Sequence, residues 1–504
     1  MWATALLAAL GAIRLFMTTR YHLIPDESYY WLWSKFPDWC YFSKGPMVAW
    51  AISLGTALGG DTEFGVRWPA VALHIATGAL LFGFSRRLFG GPAAVWTLFV
   101  AMTIPLFAVG GIVMTIDPLS VFFWTAAAVA CWHACKRPTW SGWMLVGALI
   151  GFGFLAKFTN AIQGLCIALF LVLTRDGRAA LRTPKPWVGG AVALVLTAPF
   201  WIWNARNGWV TMGHLADRGA LDEPFRISFS EFFQFITLQA VVFSPLLWLG
   251  IMVAIGWGIM RLIRGGPVVR CLQTGEWGDE RILYLLCQSV PLIIFFALFA
   301  LNDAGQPNWT VPGYITALIL AGGLWYEASR RRGYRIYAIA AIALSLVMTA
   351  LLHDTRPLRL KPSNDPLARV RGWDQVATRV YQALRDNDAD FVVAENYGLA
   401  AALTWQLRDK GFGPTNRVFT ARDSSGDIHN QLDLWPAYED RLGQDAIFVS
   451  TRKGTPDELR GQFGSFQYLT DPEWIQEAGV AVMRIRLSLF RDFRGVGRPV
   501  DRGR

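Results

Sequence analysis

Apolar residues run in stretches of about 20, long enough to cross a bilayer, from the start of the chain to about residue 352, and most charged residues fall in the gaps. The stretches fall at roughly 2–19, 66–84, 93–112, 118–135, 142–156, 159–174, 187–203, 237–260, 282–301, 309–327 and 334–352. This pattern predicts a polytopic α-helical membrane protein with about 11 transmembrane helices. Past residue 354 the long runs stop, and Asp, Arg, Asn and Gly enter between short apolar segments. There the spacing predicts strands at 390–394, 446–450, 466–469 and 480–487 and helices at 373–384 and 397–407. Three parts follow: a membrane domain over 1–353, whose first outer loop spans about 20–65, a soluble α/β domain over 354–490, and a basic, Gly-containing tail over 491–504 expected to be disordered.

Charge sets the orientation. Only 17% of residues are charged, and the net charge of +10 would suit nucleic acid were the basic residues not gathered in short gaps between apolar runs. Arg86/Arg87, Lys136/Arg137, Arg175/Arg178/Arg182/Lys185, Arg261/Arg264/Arg270 and Arg330/Arg331/Arg332 occupy every second gap, as the positive-inside rule requires of cytoplasmic loops. Topology accounts for them, and no nucleic-acid partner is expected. An inside start and an odd number of spans put residues 354–490 outside the cytoplasm. Arg14 and Arg20 fall at the outer end of the first span, where Arg14 either snorkels or lines a site. That span has no small-residue cleavage site after a basic segment and reads as a retained helix. The six cysteines show no metal spacing and read as small core residues without disulfides.

The remaining gaps hold the chemistry. Asp26, Glu27, Lys44, Asp117, Lys157, Arg206, His214, Asp217 and Arg218 all fall on the outer side, and the first of these loops is crowded with Tyr29, Tyr30, Trp31, Trp33, Trp39, Tyr41 and Phe42. Acids at a membrane surface in a chain this sparing of charge mark a site. No phosphate-binding loop, dinucleotide fingerprint, zinc-protease motif or nucleophile elbow appears, so nothing supports ATP hydrolysis or peptidase chemistry. An outward-facing enzyme has no nucleotide pool, so an activated group must arrive on a lipid carrier. A polyprenyl phosphate meets that need, offering a phosphate to Lys and Arg at the interface.

The run Pro25-Asp26-Glu27-Ser28-Tyr29-Tyr30-Trp31-Leu32-Trp33, then Asp38-Trp39-Cys40-Tyr41-Phe42-Ser43-Lys44-Gly45-Pro46-Met47 and Phe64-Gly65-Val66-Arg67, resembles the first outer loop of the GT-C glycosyltransferases of the protein-mannosyltransferase and aminoarabinose-transferase group. Thr115-Ile116-Asp117-Pro118-Leu119, Trp203-Asn204-Ala205-Arg206-Asn207-Gly208-Trp209 and Pro307-Asn308-Trp309-Thr310-Val311-Pro312 are similar to that group's later outer segments. The resemblance implies a GT-C fold and an inverting transfer of a sugar from a polyprenyl-phosphate donor to an acceptor, lipid A or its core glycan, another glycan or a protein, at the outer face of the bacterial inner membrane.

Roles follow from the chemistry and the likeness together. Asp26 matches the group's first-loop acid and is the candidate base for the acceptor hydroxyl. Asp117 is the second catalytic candidate, holding acceptor or cation, and its place before Pro118 also suits a helix N-cap. Lys44 matches the group's loop lysine and is the leading ligand for the donor phosphate, with Arg206 and Lys157 beside it. Glu27, Tyr30, Tyr41 and His214 are candidates for substrate contact. A divalent metal, if used, would fall to Asp26 and Asp117. The chain departs from the group at Ser43, where the aminoarabinose transferase has an acid, and at Gly45, where many relatives have proline or histidine. The alternative is a transporter or flippase of a lipid-linked sugar, which would be expected to show inverted repeats and polar groups at the bilayer midplane. Here the acids stand at span ends.

Overall fold

The computed structural model describes residues 2–219, 226–264, 268–422, 426–452 and 457–496. Six helices among them are each long and apolar enough to cross a membrane: Glu63–Phe89, Ile116–Lys136, Pro184–Arg206, Pro245–Arg264, Glu280–Phe299 and Arg332–His353. A seventh follows if Phe158–Leu173 and Arg175–Leu181, bent by 111° at their junction, make one span. The other expected stretches are helical too, as Trp2–Met17, Gly91–Thr103, Trp140–Ala156 and Val311–Ala328. Two stretches expected to be continuous are broken. Pro105 ends 93–112 as one helix, and Pro245 splits 237–260 into Phe229–Phe243 and Pro245–Arg264, with Ser244 between them at a φ of 69°. Proline lacks the N–H of the helical ladder and turns the preceding residue away from helical angles.

Close approach holds the bundle together. A Cβ on Gly147 would stand 1.9 Å from the Gly189 carbonyl oxygen, so the Trp140–Ala156 and Pro184–Arg206 helices touch backbone to backbone, as small residues permit in membrane proteins. Arg14, at the outer end of the first helix, is buried, its guanidinium against the Met102 sulfur and carbonyl.

The alternation of charged gaps becomes spatial. At one end of the bundle Lys136 pairs with Glu280, Arg281 donates to the Leu88 carbonyl at 2.7 Å, Lys185 to that of Pro138 at 2.9 Å, and Arg178 to that of Leu272 at 3.2 Å. The basic gaps therefore meet one another. At the opposite end lie Asp26, Lys44, Asp117, Lys157 and the α/β domain.

Among the described residues that domain carries six strands: β1 Phe391–Ala394, β2 Phe419–Thr420, β3 Ala446–Ser450, β4 Phe463–Tyr468, β5 Glu473–Glu477 and β6 Val480–Phe493. Their order is β2-β1-β3-β6-β4, with β5 pairing β6; β1 is parallel to β2 and β3, and β6 is antiparallel to β3, β4 and β5. β1 and β3 are buried along their whole length, which suits continuous apolar runs such as Phe391-Val392-Val393-Ala394 covered on both faces. Helices Trp373–Asp386 and Tyr397–Gln406 form at the expected places, the second capped by Asn396, whose side chain accepts the Leu399 N–H at 3.0 Å. The short β2 and the exposed β5 have no counterpart among the expected strands.

The expected tail at 491–504 is corrected in its first half. β6 runs on to Phe493, which is buried, and Arg491 donates to Asp445. The ladder to β4 continues through Ser465↔Arg491 and Phe463↔Phe493, so these residues belong to the sheet. Residues 497–504 lie outside the described residues.

The domain is not an appendage. One apolar core contains Tyr29, Trp31, Leu32 and Trp33 of the first loop together with Trp373, Leu399, Leu403 and Trp405 of the α/β domain. The Trp31 and Trp405 rings meet edge to face at 4.9 Å, and Tyr29 and Tyr397 lie 4.5 Å apart.

Candidate active site

The first loop folds into a short helix, Pro25–Ser34, because proline suits its first turn and Glu27 reaches back to accept the Ile24 N–H at 3.1 Å. Along this helix Asp26 and Glu27 point apart. Glu27 is 0% exposed and Arg67 1%; Arg67 Nε donates to Oε1 at 2.9 Å and Nη2 to Oε2 at 2.7 Å. The Met114 N–H also donates to Oε1 at 2.9 Å, while Arg67 gives its remaining hydrogens to the carbonyls of Thr18, Tyr21 and His22. This corrects the expectation that Glu27 touches substrate: its oxygens are engaged inside the protein and clamp the loop to the membrane helices.

Asp26 is turned the other way. Its side chain remains about a third exposed, and its Oδ2 accepts from Arg369 Nη2 of the α/β domain at 3.1 Å. Tyr30 lies one turn on, buried near both acids. Burial first, then Asp26, Tyr397 and Asp117, hold its phenol well above its usual range, so it is a neutral wall between them. Tyr41, another expected substrate contact, is corrected. It is fully buried, stacks on Trp33 at 4.5 Å, and donates to the carbonyls of Phe36 and Trp33 at 3.0 and 3.1 Å while accepting the Asp38 N–H at 3.2 Å. Its work is to close the turn that leads to Lys44.

Asp117 begins the Ile116–Lys136 helix but does not cap it; Thr115 does, accepting the Asp117 N–H at 3.3 Å. The carboxylate is thereby left for other partners. Lys157 Nζ donates to Oδ1 at 2.8 Å and to the Asn308 carbonyl at 3.2 Å, and Asn308 Nδ2 donates to Oδ2 at 2.6 Å. Lys157 is 7% exposed, so this triad joins three outer turns, and Lys157, expected at the donor phosphate, is held to Asp117.

Lys44 differs. Its ammonium has no hydrogen-bond or ion-pair partner among the described residues, and it is half-buried beside the triad. Burial pushes it down from 10.5 to about 8; Arg218 and Lys157 act in the same direction, while Asp117 and Asp26 oppose them. Gly45 explains how it gets there: a Cβ at that position would stand 2.0 Å from the Leu155 carbonyl oxygen, so only glycine lets the loop press against this backbone. Beside Lys44, Arg218 lies over the Trp309 ring at 5.7 Å. His214 packs on Phe42 with ring centroids 4.9 Å apart, and its Nε2 is buried without a partner among the described residues. Burial, then Lys44 and Arg218, push its imidazole down to about 4 against the pull of Asp217, so it is neutral at pH 7.

Arg206, expected at the phosphate, is exposed at the end of the Pro184–Arg206 helix, with no hydrogen bond to the cluster. Arg218, further along the chain, is the guanidinium that acts on Lys44. Of the two acids expected to hold a divalent metal if one is used, Asp26 faces a guanidinium and Asp117 an ammonium and an amide, and no three His, Cys, Asp or Glu side chains converge among the described residues.

Three site residues come from the α/β domain, where local sequence carries no signal of them. Arg369 and Tyr397 flank Asp26, and Gln431 accepts the Phe42 N–H at 2.7 Å while its own N–H donates to the Tyr29 hydroxyl at 2.7 Å. They lie more than 300 residues from their partners.

Known proteins share this organisation. The dolichyl-phosphate-mannose-protein mannosyltransferase family matches residues 43–203. The lipid A galacturonosyltransferase RgtD of Rhizobium johnstonii is 27% identical over 394 residues, covering 77% of this chain and 78% of that one. The undecaprenyl phosphate-alpha-4-amino-4-deoxy-L-arabinose arabinosyl transferase of Pseudomonas aeruginosa is 31% identical over 478 residues, covering 80% and 83%. The crystal structure of ArnT from Cupriavidus metallidurans in the apo state superposes with a TM-score of 0.61 at 16% identity, over 96% of this chain and 97% of that one.

Proposed function

This chain belongs to the polyprenyl-phosphate-dependent GT-C glycosyltransferases of the protein-mannosyltransferase and aminoarabinose-transferase group, and we propose that it moves a sugar from an undecaprenyl-phosphate-type donor to a lipid A or core-glycan hydroxyl, with Asp26 as base and Lys44 at the donor phosphate. The carrying observation is an accessible carboxylate beside a half-buried ammonium that has no partner among the described residues, at the end of the bundle away from the basic gaps. An acceptor hydroxyl gives its proton to Asp26 as its oxygen bonds to the anomeric carbon. The bond from that carbon to the phosphate oxygen breaks, its electron pair leaving with the polyprenyl phosphate, and the anomeric configuration inverts. Lys44 and Arg218 stabilise the charge gathering on the phosphate, and the Asp117–Lys157–Asn308 triad fixes the floor of the site. His214, neutral, serves the same pocket as a hydrogen-bonding group and not as a cation.

The basic gaps support a cytoplasmic face at their end, and with it a site and an α/β domain on the periplasmic side of a bacterial inner membrane. The flippase alternative finds no support in relatives that are transferases or in acids that stand at helix ends. The test is reconstitution in vesicles with a mixture of undecaprenyl-phosphate sugars, with lipid A, core glycan and protein acceptors read by mass. A mass increment on one acceptor, lost in Asp26→Asn, is expected. Movement of the donor across the vesicle without transfer would overturn the reading.

A further inference from the structure

The α/β domain meets the membrane domain at the carboxylate that does the chemistry, and the segment that delivers its side chain is rigidly built. Asp365 and Arg371 form an ion pair of 2.9 Å, with Asp365 6% and Arg371 2% exposed. Thr355 ties both together, donating to Asp365 Oδ1 at 2.6 Å and accepting from Arg371 Nη2 at 3.1 Å. Between the two charges the chain makes a single tight turn, Ala368–Val370, and the Trp373 indole N–H donates to the Arg369 carbonyl at 2.9 Å. A buried ion pair tied by further hydrogen bonds fixes geometry more surely than it adds stability. Here what it fixes is the position of an exposed guanidinium over Asp26.

We propose that Arg369 is a positioning residue for the transfer reaction: by holding Asp26 Oδ2 from the α/β domain, it presents Oδ1 to the acceptor hydroxyl. The inference rests on Asp26 being the base. Asp26 is the first free side chain of its helix, and without Arg369 it would be drawn towards Lys44, whose charged form it favours, and towards Arg218, which acts on the same lysine. A carboxylate drawn to those cations competes with the donor phosphate for them. A carboxylate held by Arg369 leaves them to the phosphate and keeps one oxygen for the proton. The α/β domain is thus part of the catalytic apparatus, and Tyr397, tilted against Tyr29 at 4.5 Å, forms the neighbouring wall.

The pair is more than a third exposed on both sides, so the effect is modest. In the full-length enzyme, Arg369→Ala should lower kcat about fivefold, with affinity for undecaprenyl phosphate within about twofold of the parent and an unchanged melting temperature. Arg369→Lys, which keeps the charge but not the fork, should restore part of the loss. Loss of donor affinity or of melting temperature in step with kcat would mean that Arg369 is structural, and an unchanged kcat would mean that it does nothing; either overturns the proposal. Asp26→Asn is the control. If it remains active, the base assignment fails; if it is inactive while Arg369→Ala is unimpaired, only the positioning role fails.

Discussion

Glu27 and Arg67 form a sealed pair, two hydrogen bonds of 2.9 and 2.7 Å between side chains that no solvent reaches, one residue away from an acid that stands open. Adjacent carboxylates therefore divide their work: one is sealed against Arg67 and the other stays accessible beside Arg369. Asp26→Asn should fold normally and lose transfer by at least about 100-fold, since the amide is nearly isosteric but takes no proton. Glu27→Gln should instead leave the Arg67 charge uncompensated and destabilise the protein by about 3–5 kcal/mol. Thermal melting and turnover of the two purified variants check this; equal stability and equal loss of activity would contradict it.

The ammonium of Lys44, lowered to about 8, gives a pH dependence with a definite sign. It is charged below that value and neutral above, so affinity for a polyprenyl phosphate should fall as pH rises through about 8. For folding the sign is opposite. The unfolded chain keeps this proton up to 10.5, so between about 8 and 10.5 it binds more protons than the folded one, and the cost of burying the Lys44 ammonium is relieved as pH rises. Lys44→Arg should remove the fall in affinity, because guanidinium stays charged, and retain only part of the activity, because its planar fork needs more room. Binding of undecaprenyl phosphate measured from pH 6 to 9.5 checks both.

His214, pushed down to about 4, should contribute no titration to activity between pH 5 and 7. His214→Asn, which stays neutral and polar, should leave the pH profile unchanged there. A profile limb near pH 6 that vanished in this variant would show that the imidazole titrates in the working enzyme.

Removing the chain after His353 should leave no stable membrane domain, because Tyr29, Trp31, Leu32 and Trp33 would lose the partners that bury them. Trp405→Ala is the milder form: a fully buried ring in contact with Trp31, it should cost about 3–5 kcal/mol and loosen the first loop. Size-exclusion behaviour and thermal melting in detergent report both; a well-behaved truncated protein would contradict the shared core.

A reporter enzyme that works only outside the cytoplasm, fused to the end of the whole chain, should be active. The expectation follows from the basic gaps at the far end of the bundle. An inactive reporter would put the site on the wrong face for a lipid-linked donor.

By itself the sequence determined the membrane class, the alternation of basic gaps, the onset of an α/β unit past residue 354, and the grouping of Asp26, Lys44 and Asp117 in the gaps between the basic ones. These are consequences of local composition: an apolar run of bilayer length can satisfy its backbone in lipid only as a helix, and a proline or a capping threonine acts within a few residues of itself. Tertiary structure alone decided which acid of the Asp26-Glu27 pair is free, since that depends on Arg67, 40 positions away. It decided that Lys157 is taken by Asp117 while Lys44 is left beside the triad, and that Arg218 and not Arg206 joins it. It also decided that Arg369, Tyr397 and Gln431 reach the first loop from the far end of the chain. Side chains of the same type differ in sequence by nothing that marks these fates. Each is set by which opposite charge or hydrogen-bond partner the packed helices and the docked domain bring within about 3 Å, and that distance exists only once the chain has folded.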